Sequence, residues 1–76
     1  MDYRKATLDR KETGHNIRSL IARSVFTYDE ISVMLELSSS RVIYAWGSGR
    51  KLPSIENLAN LARIFNVEIE DIIALR

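Results

Sequence analysis

The residues best suited to chemistry are Ser39, Ser40, Arg41, Tyr44, Arg50 and Lys51, gathered in one short stretch, with Tyr28 and Arg18 upstream. All of them donate hydrogen bonds or carry positive charge. A guanidinium presents a planar fork to paired acceptors, an ammonium acts as a point charge, and the hydroxyls both donate and accept. Arg41 and Tyr44 are spaced i, i+3, so one helix face can present both to a single ligand. Such a set suits phosphate oxygens and base edges. It is equally the make-up of an ordinary solvated helix face. Charge distribution favours the first reading: residues 10–51 carry Arg10, Lys11, Arg18, Arg23, Arg41, Arg50 and Lys51 against Glu12, Asp29, Glu30 and Glu36. Residues 52–76 carry only Arg63 and Arg76 against Glu56, Glu68, Glu70 and Asp71, so a net charge of +1 conceals a basic front and an acidic tail.

Other chemistries have little to stand on. The chain has no cysteine, which removes disulfides and cysteine-ligated metal sites. Its one histidine, His15, has no recognisable nucleophile partner and reads as a surface residue at a helix start. Gly47-Ser48-Gly49 follows a helix instead of a strand, the wrong setting for a phosphate-binding loop. Glu68, Glu70 and Asp71 are explained by the positive end of a helix. No catalytic residue, metal or cofactor is expected, and the chain does not read as an enzyme. With 76 residues there is room for one domain. No apolar run approaches the roughly 18 residues of a membrane span, and residues 1–12 lack the apolar core of a secretory signal. A soluble cytoplasmic protein with no membrane partner is expected.

The elements that must position these residues are helical. Residues 1–12, polar and without apolar periodicity, read as a flexible arm, and residues 13–76 as the folded domain. Thr13 and Gly14 open a helix whose inner face is Ile17, Leu20, Ile21 and Ser24. Thr27-Tyr28-Asp29-Glu30 is a capping box; the helix it starts carries Ile31, Met34 and Leu35 inward and ends near Glu36. Ser38-Ser39-Ser40 form a turn with a serine cap, followed by a helix over roughly 40–48 that Gly47, Ser48 and Gly49 stop. After Pro53, Ser54 caps a further helix, apolar around most of its girth through Ile55, Leu58, Ala59, Leu61, Ala62, Ile64 and Phe65, with Asn66 closing it. Ile69, Ile72 and Ile73 mark a last short helix. The fold class is all-α, with five short helices.

A capped helix, a short turn and a second short helix between Tyr28 and Trp46 make the spacing of a helix-turn-helix, whose second helix enters the DNA major groove. Ile31, Ser32 and Leu35 would brace Ile43 and Trp46, leaving Ser39, Ser40, Arg41 and Tyr44 outward. From Ile31-Ser32 through Leu35, through Ile43-Tyr44-Ala45-Trp46 and Gly49-Arg50-Lys51-Leu52-Pro53-Ser54, to Phe65-Asn66-Val67 and Ile69-Glu70-Asp71-Ile72-Ile73, the chain resembles the Cro/cI-type (Xre-like) helix-turn-helix domain. The likeness covers about residues 14–74. It implies a compact five-helix, lambda-repressor-like domain. The function it implies is a sequence-specific regulator of transcription on double-stranded DNA, a repressor acting as a homodimer on a palindrome.

Under that resemblance, Arg41, Tyr44 and Ser40 would read bases, Arg41 as a bidentate partner of guanine. Tyr28, Ser39, Arg50, Lys51 and Arg18 would contact phosphates. Capping is the alternative role for Ser39 and Ser40, and a plain surface position the alternative for Tyr28. A different class stays open: a protein-interaction module, such as the antitoxin of a toxin–antitoxin pair, with a toxin or other protein as partner. Two departures from the family bear on the turn. Glu36 stands where the family usually has glycine, and one extra residue lies between Leu35 and Ile43. A positive φ at Glu36 would cost about 1 kcal/mol, and an enlarged turn would free the backbone of that need. Either Ile43 and Trp46 or Val42 and Ala45 face the core; the size of Trp46 favours the first pair. Val67, Leu75 and part of the last helix are a candidate dimer surface.

Overall fold

The computed structural model describes residues 3–76, so of the expected arm Met1 and Asp2 lie outside the described residues. Four α-helices, α1 (Arg10–Arg23), α2 (Tyr28–Met34), α3 (Arg41–Gly47) and α4 (Ile55–Phe65), are followed by a single 3-10 turn over Ile69–Asp71. The all-helical class holds, but the fifth helix is no more than that turn. Its Glu68 amide donates to Asp71 Oδ2 at 2.9 Å, which closes the turn on itself.

The first helix starts three residues before the expected Thr13. Asp9 caps it, accepting from the Glu12 amide at 3.0 Å. Residues 7–9 are held as well: Asp9 N–H donates to Ala74 O at 2.8 Å, Arg76 N–H to Thr7 O at 2.8 Å, and Leu8 and Leu75 form an antiparallel bridge. Within the expected arm, residues 7–12 are therefore paired or helical. Farther along, the buried Thr13 hydroxyl accepts from Ala74 N–H at 2.9 Å and Asn16 Nδ2 donates to Ile72 O at 3.0 Å. The C-terminal segment thus lies along the first half of α1. Leu75 is accordingly a partner of Leu8 within the chain, although its side chain stays exposed.

The core is Ile17 and Ile21 from α1, Ile31 from α2, Ile43 and Trp46 from α3, Leu61 and Ala62 from α4, and Ile72. Ile43 is fully buried and Trp46 nearly so, which favours their register of α3; of the other pair, Ala45 is also buried but Val42 only half-buried. Two expected core residues lie elsewhere. Met34, in the last turn of α2, is 44% exposed, and Ile55, at the start of α4, is 82% exposed. Both sit where a helix end leaves its neighbours. With Ile55 outside and only Leu61 and Ala62 buried, α4 packs along one stripe and is not surrounded.

α1 and α3 approach closely because Gly14 has no side chain to hold the two backbones apart. A Cβ on Gly14 would lie 2.5 Å from Gly47 O and 2.6 Å from Trp46 O. No other residue type leaves room for that backbone contact.

Candidate nucleic-acid interface

α3 carries most of the outward chemistry, and its position is fixed from both ends. Upstream, the Thr27 capping box closes as the spacing predicts: Thr27 N–H donates to Glu30 Oε1 at 2.8 Å, and Glu30 N–H to Thr27 Oγ1 at 3.1 Å. α2 then ends in a Schellman closure, with Leu37 N–H donating to Ser32 O at 2.9 Å and Glu36 N–H to Val33 O at 3.1 Å. That closure needs a left-handed residue just past the helix, and Glu36 supplies it at φ 57°. The longer turn therefore does not release the backbone from the conformation glycine would favour. α3 and α4 close the same way: Arg50 N–H donates to Ala45 O around Gly49 (φ 81°), and Val67 N–H to Ala62 O around Asn66 (φ 56°). Glycine and asparagine suit this conformation; glutamate does not.

At the start of α3, Ser39 Oγ accepts from Arg41 N–H at 3.2 Å, so Ser39 is the capping side chain. Ser40 makes no side-chain cap bond; its carbonyl accepts from Ile43 and Tyr44. Ser40 as a whole is half-buried at the head of the helix.

Arg41 is exposed and shares a shallow cleft with Arg50 and Lys51 over a floor of Val42 and Ala45. Arg50 Nε donates to Ser48 Oγ at 3.2 Å, which holds that guanidinium beside the end of α3. Among the described residues, the one ion pair is Arg76 with Asp9, at 4.0 Å. No described carboxylate therefore forms an ion pair with Arg41, Arg50 or Lys51.

Tyr44 is 55% exposed and its ring stacks parallel to that of Tyr28, centroids 4.3 Å apart and planes within 2°. Tyr28 and Tyr44 were read separately from the sequence; the fold joins them into one aromatic pair. Arg18 is set apart from the other cations in role. Its Nη1 donates to Gly47 O, and its stem covers Gly47, so it braces the C-terminal end of α3, where the helix dipole favours a cation.

Arg10 was missed by the sequence reading. Its Nη1 donates to Arg50 O at 3.4 Å, and its backbone lies within van der Waals reach of a Cβ built on Gly49. That packs the start of α1, with Arg10 and Lys11, against the turn after α3. The signal was present as Asp9…Glu12, the same cap spacing as Thr27…Glu30, but without an apolar run behind it.

His15 is exposed, and among the described residues no three acidic or histidine side chains gather as a metal site needs. No helix among them is long and apolar enough to cross a membrane. What the surface around α3 offers is a row of donors and cations without a described carboxylate partner, beside a stacked aromatic pair, which suits an extended polyanion carrying flat bases. Comparison with known protein families, with curated proteins and with solved structures finds no match to this chain.

Proposed function

We propose that the chain is a sequence-specific, double-stranded-DNA-binding regulator of transcription with a helix-turn-helix of Cro/cI type, α2 bracing and α3 entering the major groove. The observation that carries this reading is the exposed face of α3. Arg41 and Tyr44 point outward from a helix whose other side is anchored by Ile43 and Trp46, beside cations free of any described carboxylate. In this reading Arg41, Tyr44 and Ser40 face base edges. Ser39, Arg50 and Lys51 meet phosphates, with Arg10 and Lys11 alongside. Repression would follow from occupying a promoter.

So few cationic contacts bind weakly, since each phosphate neutralised contributes a slope of about −0.9 to the salt dependence of affinity. Two copies on a palindrome, with half-sites about 34 Å apart, double both the contacts and the slope. The test is fluorescence anisotropy with labelled genomic duplex fragments across a salt series, followed by selection of the best-bound sequences. Steep loss of affinity with salt and recovery of a palindrome support the reading. No binding to any duplex at low salt refutes it.

A protein-interaction module, such as an antitoxin, draws on a different face. Val25, 89% exposed, stands at the rim of an apolar cleft lined by Leu20, Phe26, Ile64, Phe65 and Val67. That surface suits a protein partner. Charge reversal at Arg41 and Lys51 separates the readings, since it abolishes DNA binding and leaves association through the cleft intact.

A further inference from the structure

We propose that Tyr28 and Tyr44 form a rigid apolar plate that selects a pyrimidine 5-methyl group, so that one position of the bound duplex must be thymine. The inference rests on the duplex-binding reading above and names the group that Tyr44 recognises. The two rings lie parallel, 4.3 Å apart. Parallel rings at that centroid spacing are offset from one another, an arrangement that aromatic pairs favour. The surroundings hold the pair in place. Tyr28 is the first residue of α2, directly after the Thr27 cap, and is packed against the core. Tyr44 leans from the outward side of α3, and Ala22 and Phe26 border the hollow next to the pair. Stacking on the half-buried Tyr28 restrains the Tyr44 ring before any ligand arrives, and such preorganisation favours binding.

The ring, not the hydroxyl, discriminates. A phenolic O–H can donate to N7 of either purine, to O6 of guanine or to O4 of thymine, so it tells bases apart poorly. An apolar ring held in place has one distinctive partner in the major groove, the C5-methyl of thymine. Tyr28 is then a positioning residue. Its ring fixes Tyr44, in place of the phosphate contact that its place in the sequence suggested.

The experiment uses the full chain and a duplex it selects from a random library, with each thymine replaced in turn by deoxyuridine, which lacks only the methyl. At one thymine per half-site, deoxyuridine weakens wild-type binding about fourfold, the effect of one buried methyl. At the same position, 5-methylcytosine in place of cytosine strengthens binding. The deoxyuridine effect disappears in Tyr44→Ala, falls below about twofold in Tyr28→Ala as preorganisation is lost, and persists in Tyr28→Phe, which keeps the stack. Wild-type binding that is indifferent to deoxyuridine at every thymine overturns the proposal while leaving duplex binding standing. A full effect in Tyr28→Ala overturns the positioning role. No binding to any library duplex at low salt overturns the DNA reading itself.

Discussion

Gly14→Ala is the sharpest test of how α3 is held. The added Cβ would sit 2.5 Å from Gly47 O, 2.6 Å from Trp46 O and 2.9 Å from the Gly47 carbonyl carbon. Ordinary contact at such atoms is nearer ~3.4 Å, so α1 would have to withdraw by nearly ~1 Å or tilt. The atoms met are helix backbone and cannot swing aside. Overpacking of this kind costs about 1–3 kcal/mol, and a backbone obstacle places this case at the upper end. Alanine returns about 1 kcal/mol through its better helix propensity. The net loss is about 2 kcal/mol, which for a domain this small lowers Tm by roughly 8–16 °C.

Gly47→Ala is the matched control. Its Cβ would meet only Arg18 Cγ at 2.9 Å and Cδ at 3.4 Å, on a side chain that can rotate away. The lost bond from Arg18 to Gly47 O offsets the propensity gain, so the change stays within about 1 kcal/mol. Urea and thermal melts of both variants provide the measurement, with unchanged urea m-values showing that only stability moved. A Gly14→Ala protein as stable as wild type, or equal losses in the two variants, would refute the account of the α1–α3 contact.

Glu36→Gly should raise Tm, because it removes a left-handed penalty of about 1–2 kcal/mol while adding unfolded-chain entropy worth about 0.4–1 kcal/mol; a lower melting temperature contradicts the strain assigned to the turn after α2. Thr13→Val leaves the Ala74 N–H without its partner and should cost about 1–3 kcal/mol, with faster hydrogen exchange at Ala74 as the local signature; protection unchanged there means the contact is unimportant. Lys51→Ala should weaken all duplexes about evenly and reduce the salt slope by about 1, whereas Arg41→Ala should cost about 1–3 kcal/mol concentrated at one base position. Arg41→Ala with base preference intact would move Arg41 to the phosphate contacts.

Local signals in the sequence were legible where the physics is local. The Thr27–Glu30 box, the Ser54 cap, the left-handed Asn66 and the stop at Gly49 each depend on residues within one turn, and each is found where the pattern predicts. The burial of Ile43 and Trp46 followed from size and spacing. Long-range features were not legible. Pairing of residues 7–9 with 74–76 joins opposite ends of the chain, and nothing in a polar lead-in announces a partner more than sixty residues away. The same holds for the stack of Tyr28 on Tyr44. Glu36 is a third kind of case: the sequence marked the position, but whether the turn kept its left-handed residue depended on the hydrogen bonds closing α2, which spacing alone does not reveal.

The candidate site inherits this division. α3 has seven residues, too few to be stable as an isolated helix in water. Its outward side chains are therefore only as well positioned as the inward contacts that create the helix: Ile43 and Trp46 in the core, the glycine contact with α1, and the Arg18 bond at its C-terminal end. α1 is in turn anchored to the C-terminal segment by Thr13 and Asn16, neither of which lies on α3. Substitutions at these positions should thus loosen α3 before they unfold the domain, weakening binding at temperatures where most of the chain is still folded. Arg41 and Tyr44 name the chemistry, but Gly14 and Thr13 determine whether it is presented.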